Sequence, residues 1–198
     1  MPVTIANFLT ILRLLISPFF LLIYIYPKYF YVTPFTLPFV LLFLFLVMEL
    51  SDLFDGYVAR KYDQVTDLGK LLDPMADSIT RTSAFLTFTQ APVHLPILFV
   101  FIFLYRDSVV STLRTICALR GYALAARSSG KIKAVIQAVA IFVILAAMIP
   151  HSLGGISDFT LNALATVVAG VAALYSMYSG VEYIVVNRQY LVQMLGKD

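Results

Sequence analysis

The sequence predicts an all-α, polytopic membrane protein, and three observations support that prediction. Of the 198 residues, 61% are hydrophobic and only 13% are charged, whereas soluble domains are about 45–50% apolar and about 25% charged. The mean hydropathy is +0.90. Apolar stretches of about 20 residues, each able to cross about 30 Å of hydrocarbon, follow one another along the chain. We therefore expect a bundle of six transmembrane helices that forms a single domain over residues 1–198.

The six predicted spans are separated by proline, glycine and serine turn signals. In chain order they cover approximately residues 5–26, 35–59, 69–89, 93–114, 133–149 and 161–186. Pro27 and Pro34 separate the first two spans, and the Ala91-Pro92 step separates the third from the fourth. The fifth span follows the residues Ser128-Ser129-Gly130, and the segment from Pro150 to Gly155 precedes the sixth. A short polar turn joins the second span to the third, so these two helices should be antiparallel neighbours.

The positions of Lys and Arg predict the orientation in the membrane. The connections around residues 60–70 and 114–133 and the C-terminal tail are basic, whereas the opposing connections hold only Lys28 among Lys and Arg. Because cytoplasmic connections carry the excess of positive charge, we expect both termini on the cytoplasmic side. The net charge of +3 includes no basic run that would bind nucleic acid, and it indicates contact with membrane lipids instead.

Four carboxylates interrupt this apolar chain at Asp52, Asp55, Asp73 and Asp77. Asp52 and Asp55 lie one helical turn apart at the end of the second span, and Asp73 and Asp77 have an i+4 spacing in the third span. An ionisable residue inside a membrane costs about 2.5–3.5 kcal/mol on insertion scales, so four together require positive compensation. The four carboxylates can converge between the two neighbouring helices and form a site on the cytoplasmic side.

Divalent metal ions are the simplest source of that compensation. The cluster contains no His or Cys, and its hard oxygen ligands favour Mg²⁺ or Mn²⁺, with Ca²⁺ as an alternative occupant, over zinc. Two such ions would neutralise four carboxylates and leave coordination positions for phosphate oxygens. The sequence therefore predicts two divalent cations and a substrate that contains a diphosphate.

The aspartates belong to a longer pattern, Asp52-x2-Asp55-Gly56-x2-Ala59-Arg60-x8-Gly69-x3-Asp73-x3-Asp77. These eight fixed residues resemble, without a substitution, the signature of the CDP-alcohol phosphotransferases, membrane enzymes of phospholipid synthesis. The resemblance implies that the hydroxyl of an alcohol attacks the lipid-linked phosphorus of CDP-diacylglycerol and that CMP leaves. It implies that the four aspartates bind the two ions, that Asp77 is also the general base, and that the CDP-lipid lies against Gly56, Ala59, Arg60 and Gly69.

Two further segments bear on which alcohol is used. The opening Asn7-x2-Thr10-x2-Arg13-x4-Pro18 and the basic segments Tyr105-Arg106-Asp107-x6-Arg114 and Gly130-Lys131-Ile132-Lys133 are similar to those of bacterial phosphatidylglycerophosphate synthases. This resemblance implies that the phosphate of sn-glycerol 3-phosphate is held by Arg106, Arg114, Lys131 and Lys133, in a bacterial cytoplasmic membrane. The sequence departs from that group at Ser78, Asp107 and Ala134, where lysine, glutamate and threonine are expected. The four cations could instead serve only the inside-positive topology.

Homodimers are also implied by the resemblance, and small residues in the last two spans, among them Gly170, Ala172, Ala173 and Gly180, would permit close approach of helices. Alternatives remain open at this point. The same chemistry could use inositol phosphate, serine or another alcohol as acceptor. A cation transporter would also place paired acids in a membrane, although acids at one membrane face suit it less well than acids at the midplane. In a catalytically silent scaffold, the unpaired acids would be a standing cost.

Overall fold

A computed structural model describes residues 5–61, 67–119, 121, 127–189 and 192, with side chains at all of these except 5–6, 55–60, 67–68 and 70–71. Within these residues the chain forms six α-helices, one short 3-10 helix and no β-strand. The α-helices are α1 (Ile5–Ile25), α2 (Leu37–Lys61), α3 (Asp67–Thr87), α4 (Ile97–Leu119), α5 (Ser128–Ser152) and α6 (Asp158–Val186). The all-α prediction is confirmed, and each predicted span corresponds to one helix.

Four of these helices have the length and composition needed to cross a membrane. The qualifying stretches are Asn7–Ile25 in α1, Leu37–Phe54 in α2, Ser128–Ser152 in α5 and Asp158–Val186 in α6. Helices α3 and α4 are as long but carry more charge, because Asp73, Asp77 and Arg81 lie in α3 and Arg106 and Asp107 lie in α4. The chain is therefore a multi-pass membrane protein, and the two helices that do not qualify bear part of the candidate site.

Helix α3 packs against α1, α4 and α5, and α5 packs in addition on α2 and α6. Helix α1 also packs on α2, and α4 also packs on α6. The rings of Phe85 in α3 and Phe103 in α4 are buried with their centroids 4.4 Å apart, and Phe88, just after the end of α3, meets Phe20 in α1 edge to face. These aromatic contacts fix the faces of α3, so that its charged residues lie between α1 on one side and α4 with α5 on the other.

The small residues of α6 serve packing within the chain. Ala172 and Ala173 are buried in the core, and a Cβ atom added at Gly170 would lie 3.5 Å from the Phe99 ring of α4. At Gly180 an added Cβ would meet Arg106, which also belongs to α4. Close approach of helices is therefore used between α4, α5 and α6 of one chain, so these residues do not by themselves mark a contact between two copies.

Asn162 of α6 holds the connection between α3 and α4. Its Nδ2 donates hydrogen bonds of 2.9 Å to the carbonyl oxygens of both Val93 and His94. We expect Asn162→Ala to lower the free energy of unfolding by about 1–3 kcal/mol, because it leaves both carbonyls without this donor. Thermal unfolding in detergent micelles, followed by the reactivity of the buried Cys117 thiol, measures the change.

The matched control is Asn187→Ala. Asn187 Nδ2 donates only to the Tyr183 carbonyl one turn earlier, at the end of its own helix. Because no other segment depends on that bond, its loss should lower the melting temperature less than the loss of Asn162. Equal melting temperatures for the two variants would contradict the role given to Asn162.

Candidate active site

One face of α1 carries a buried polar stripe inside an otherwise apolar helix. Its members are spaced three or four residues apart and are Asn7, Thr10, Arg13 and Ser17. The opposite face carries exposed apolar side chains such as Phe8, Leu15 and Phe19. Because α1 packs against α2 and α3, the stripe is turned toward the two helices that bear the aspartates.

The stripe contacts three of the four predicted metal-binding aspartates. Arg13 Nη1 donates to Asp52 Oδ1 of α2 and, at 2.9 Å, to Asp77 Oδ1 of α3. Thr10 Oγ1 donates to Asp73 Oδ1 at 2.8 Å. The Arg13 side chain is only 2% exposed, whereas the side chains of Asp52 and Asp77 are 31% and 34% exposed. A buried cation from α1 therefore compensates two partly exposed carboxylates that come from different helices.

Two of the predicted metal ligands, Asp52 and Asp77, bring carboxylate oxygens close to each other at Arg13. Because one nitrogen atom of Arg13 contacts both carboxylates, Asp52 and Asp77 can each place an oxygen at a shared position. Carboxylate oxygens are the ligands that Mg²⁺ and Mn²⁺ prefer. Among the side chains that the structure describes, no three His, Cys, Asp or Glu residues already form a metal cluster. Asp55, the fourth predicted ligand, lies in α2 with its side chain outside the described set.

A second buried cation, Arg81, also lies beside Asp77. Its Nη1 is 3.9 Å from Asp77 Oδ2, and its Nη2 is 3.8 Å from Glu49 Oε1 of α2. Both distances are too long for a hydrogen bond, so Arg81 interacts with the two carboxylates mainly through its charge. Arg81 therefore adds positive charge at the far oxygen of Asp77 and ties α3 to α2.

A cavity of about 460 Å³ opens between α3, α4 and α5 on the other side of Asp77. Its charged lining comes from all three helices and consists of Asp77, Arg81, Arg106, Asp107, Arg114 and Lys133. Three of the four cations predicted to hold the acceptor phosphate therefore share one cavity with the predicted general base. The fourth, Lys131, is exposed and does not line this cavity.

The charges within the cavity are arranged around Asp107. Lys133 Nζ lies 2.7 and 2.9 Å from the two oxygens of Asp107, and Arg106 Nη1 lies 3.0 Å from Oδ1. Arg106 Nε also donates to Ser179 Oγ at 3.1 Å. Arg114 has its guanidinium carbon 5.3 Å from the centre of the Tyr183 ring, an arrangement that stabilises a cation. Arg106, Arg114 and Lys133 carry three positive charges against the one negative charge of Asp107, which leaves two positive charges in this group.

Arg106 occupies a slot made by two glycines. A Cβ atom at Gly180 of α6 would lie 3.0 Å from Arg106 Cγ, and one at Gly130 of α5 would lie 3.6 Å from Nη2. The first distance is too short for an ordinary contact, so any side chain at position 180 would have to displace Arg106. The absence of a side chain at Gly180 therefore helps to determine where this guanidinium lies.

The structure describes the predicted CDP-lipid residues only in part. Gly69 is buried in the first turn of α3. Gly56, Ala59 and Arg60 belong to α2, but their side-chain surroundings lie outside the described set, as do those of Asp55. The roles of these residues in binding the CDP-lipid stay predictions.

Three residues that contact the site were not assigned a role there from the sequence. Thr10 and Arg13 contact the aspartates, and Asp107 holds two cavity cations. For Thr10 and Arg13, the i, i+3 spacing of polar residues on one face of an apolar helix already indicated a buried polar contact. A buried arginine on such a face requires an acidic partner, and the aspartate cluster supplies it.

The chain is similar to known proteins over most of its length. Residues 3–186 match the family described as CDP-alcohol phosphatidyltransferase. A Bacillus subtilis protein named CDP-diacylglycerol--glycerol-3-phosphate 3-phosphatidyltransferase is 32% identical over 148 residues, which cover 75% of this chain and 73% of that protein. A Rickettsia felis protein of the same name is 27% identical over 188 residues, covering 93% of this chain and 95% of its own.

A further relative comes from Mycobacterium tuberculosis and is named probable phosphatidylglycerophosphate synthase. It is 32% identical over 179 residues, which cover 90% of this chain and 79% of that protein. The family match extends over all six helices, including α1 with its polar stripe and α5 with Lys133. The chain therefore belongs to the CDP-alcohol phosphatidyltransferase family of transferases.

Proposed function

We propose that this chain transfers the phosphatidyl group of CDP-diacylglycerol to sn-glycerol 3-phosphate, releasing CMP and forming phosphatidylglycerophosphate. The observation that carries the proposal is the cavity with Asp77 on its α3 wall and Arg106, Arg114 and Lys133 on its α4 and α5 walls. Two of these cations share the carboxylate of Asp107, so the group has two positive charges in excess. A phosphate monoester carries close to two negative charges at neutral pH and matches that excess. The names of the relatives support the same acceptor.

In the proposed mechanism the cavity cations bind the acceptor phosphate and orient the molecule. Arginine presents several N–H donors in a planar fork that suits phosphate oxygens. With the phosphate held on the α4 and α5 side, the hydroxyl at the other end of glycerol 3-phosphate points toward Asp77. Binding of this kind gives the hydroxyl a fixed orientation before reaction.

Asp77 then acts as general base. Its carboxylate accepts the hydroxyl proton while the oxygen attacks the lipid-linked phosphorus, and the bond from that phosphorus to the CMP oxygen breaks. Arg81 lies 3.9 Å from Asp77 Oδ2 and adds positive charge beside this carboxylate. Two divalent cations, Mg²⁺ or Mn²⁺, held by Asp52, Asp55, Asp73 and Asp77, would polarise the diphosphate and stabilise the leaving CMP.

We also propose how the chain lies in the membrane. Helices α3 and α4 complete a six-span bundle with both termini and the site on the cytoplasmic face of a bacterial membrane, as the basic connections favour. The CDP-lipid keeps its acyl chains in the bilayer while its head group lies against Gly56, Ala59, Arg60 and Gly69. The enzyme acts as a homodimer.

Assays with one acceptor at a time test this function directly. The purified chain in detergent micelles is supplied with CDP-diacylglycerol, Mg²⁺ and one acceptor at a time, and released CMP is measured. We expect turnover with glycerol 3-phosphate and little with serine, inositol or unphosphorylated glycerol, because these lack the phosphate that the cavity cations match. Turnover with inositol phosphate and none with glycerol 3-phosphate would refute the acceptor. Cation flux in proteoliposomes without CMP release would refute the transferase reaction.

A second test concerns the glycine beside Arg106. We expect Gly180→Ala to raise the KM for glycerol 3-phosphate about fivefold with little change in kcat, because overpacking at 3.0 Å moves Arg106 away from the acceptor phosphate. Steady-state CMP release at varied acceptor concentration measures both constants. Gly170→Ala is the matched control, since its Cβ would make an ordinary 3.5 Å contact with Phe99 outside the cavity. Equal KM values for glycerol 3-phosphate in the two variants would contradict the role of Gly180 in positioning Arg106.

A further inference from the structure

Arg13 lies where two of the predicted metal ligands meet. We propose that its guanidinium is an internal counter-cation that exchanges with the divalent ion: it joins Asp52 to Asp77 in the metal-free protein, and it leaves their shared position when the ion binds. This inference rests on the metal-dependent function proposed above. It assigns Arg13 a positioning role that sets the metal affinity of the site.

Burial and charge explain why the metal-free protein needs this cation. Asp52 and Asp77 come from different helices, and both bring an oxygen to the same nitrogen of Arg13. Without a positive partner, two carboxylates so close together would repel each other strongly where water is partly excluded. A guanidinium stays charged at every relevant pH, so Arg13 supplies this compensation permanently. The α1 helix therefore contributes the charge that keeps α2 and α3 together near the site.

Competition for the same oxygens explains the exchange. Arg13 Nη1 donates to Oδ1 of both Asp52 and Asp77, and a divalent ion held by these two acids would need carboxylate oxygens that Arg13 already contacts. An ion with two positive charges at this position would repel the guanidinium. The two cations therefore bind in competition at this pair of acids.

The other neighbours of the aspartates do not compete in this way. Thr10 reaches Asp73 through a neutral hydroxyl, which can remain bonded to a carboxylate that also binds a metal. Arg81 approaches the other oxygen of Asp77, at 3.9 Å, and shares its charge with Glu49. Among the side chains that the structure describes, Arg13 is therefore the cation that meets both acids.

Removing Arg13 should have two effects of opposite direction. The metal-free protein loses the partner of two acids and becomes less stable, whereas the metal site loses its competitor and binds more tightly. A residue that only packed α1 against its neighbours would weaken both properties when replaced. The opposite signs therefore distinguish exchange from a structural role.

The experiment uses the full chain in detergent micelles without lipid substrate, with Mn²⁺ as the probe. Mn²⁺ binding is measured by calorimetry and by the loss of the free-ion paramagnetic resonance signal, and melting is followed by the reactivity of the Cys117 thiol. For Arg13→Gln we expect a Kd for Mn²⁺ at least about tenfold lower than that of the original chain. Its metal-free melting temperature should be lower and should recover at saturating Mn²⁺.

Two further variants sharpen the result. Arg13→Lys keeps the charge but replaces the fork with a single ammonium, so its Kd should fall about threefold, between the two extremes. Arg127→Gln breaks an ion pair with Glu182, 3.1 Å long and separate from the aspartates, and should leave the Kd unchanged. If Arg13→Gln unfolds during purification, Mn²⁺ throughout the preparation should rescue it, and failure of that rescue would count against the exchange.

The outcomes separate this inference from the function on which it rests. Equal or weaker Mn²⁺ binding by Arg13→Gln would overturn the exchange while leaving the metal-dependent function intact. Failure of the original chain and of Arg13→Gln to bind Mn²⁺ would overturn both.

Discussion

Asp77→Asn is expected to lower kcat for CMP release by about 10³-fold, the middle of the range that general acid–base catalysis contributes. Asparagine keeps the size and shape of the side chain but cannot accept the hydroxyl proton. Asp77 is the acid of the α2–α3 cluster that both lines the acceptor cavity and contacts Arg13, so it connects the two halves of the site. Steady-state assays with CDP-diacylglycerol and glycerol 3-phosphate measure the loss, and the KM for glycerol 3-phosphate should change little.

Two comparison variants test the role of Asp77 as a base beyond that of a metal ligand. Asp73 bonds to Thr10 and does not line the cavity, so excess Mn²⁺ should partly restore Asp73→Asn but not Asp77→Asn. Asp158→Asn removes an exposed carboxylate that bonds to His151 at the start of α6, and it should leave kcat unchanged. Retained turnover in Asp77→Asn would refute the assignment of the base.

Arg114→Gln is expected to raise the KM for glycerol 3-phosphate about 10- to 100-fold, the equivalent of one charge-assisted hydrogen bond of about 1.5–3 kcal/mol. Arg106 and Lys133 both pair with Asp107, whereas no ion pair within the described part of the chain neutralises Arg114. Its neighbour is the ring and hydroxyl of Tyr183. The full charge of Arg114 is therefore available to the acceptor phosphate, and kcat should fall by less than about threefold.

Two control variants separate the effect of the positive charge of Arg114 from that of its planar guanidinium and its position. Arg114→Lys keeps the charge without the fork and should give a KM between those of the other two proteins. Arg188→Gln removes the same charge from an exposed position beyond α6 and should leave the KM unchanged. A large fall in kcat with an unchanged KM for Arg114→Gln would contradict a role in binding the acceptor.

The helices were predictable from the sequence because lipid imposes a simple pattern on each one. Every predicted span has its helix, with ends displaced by up to five residues, as at the start of α5. The number of membrane crossings was less predictable from composition. The residues of α3 and α4 that line the cavity include several charged ones, and that charge reduces the apolar signal of both helices.

The grouping of the aspartates was predictable in part because their spacing is local, whereas the cavity cations were inferred from the resemblance of their segments to a known family. Within one helix, positions three or four residues apart share a face, so Asp73 and Asp77 could be placed together. The partnership of Arg13 with Asp52 and Asp77 spans 39 and 64 residues, and no local spacing encodes it. The exclusion of Lys131 from the cavity likewise depends on how α5 is rotated against α3 and α4, which its sequence does not specify.

The contacts of Arg13 have a consequence for how the chain is assembled. During synthesis α1 emerges before α2 and α3, so its arginine enters the bilayer while it still lacks their acids, which appear 39 and 64 residues later. An arginine at the centre of a lone helix costs about 2.5–3.5 kcal/mol on translocon scales, a penalty that the apolar remainder of α1 must offset. Arrival of α3 relieves this penalty. The step that stabilises α1 in the bilayer therefore also brings Arg13, Asp52 and Asp77 together.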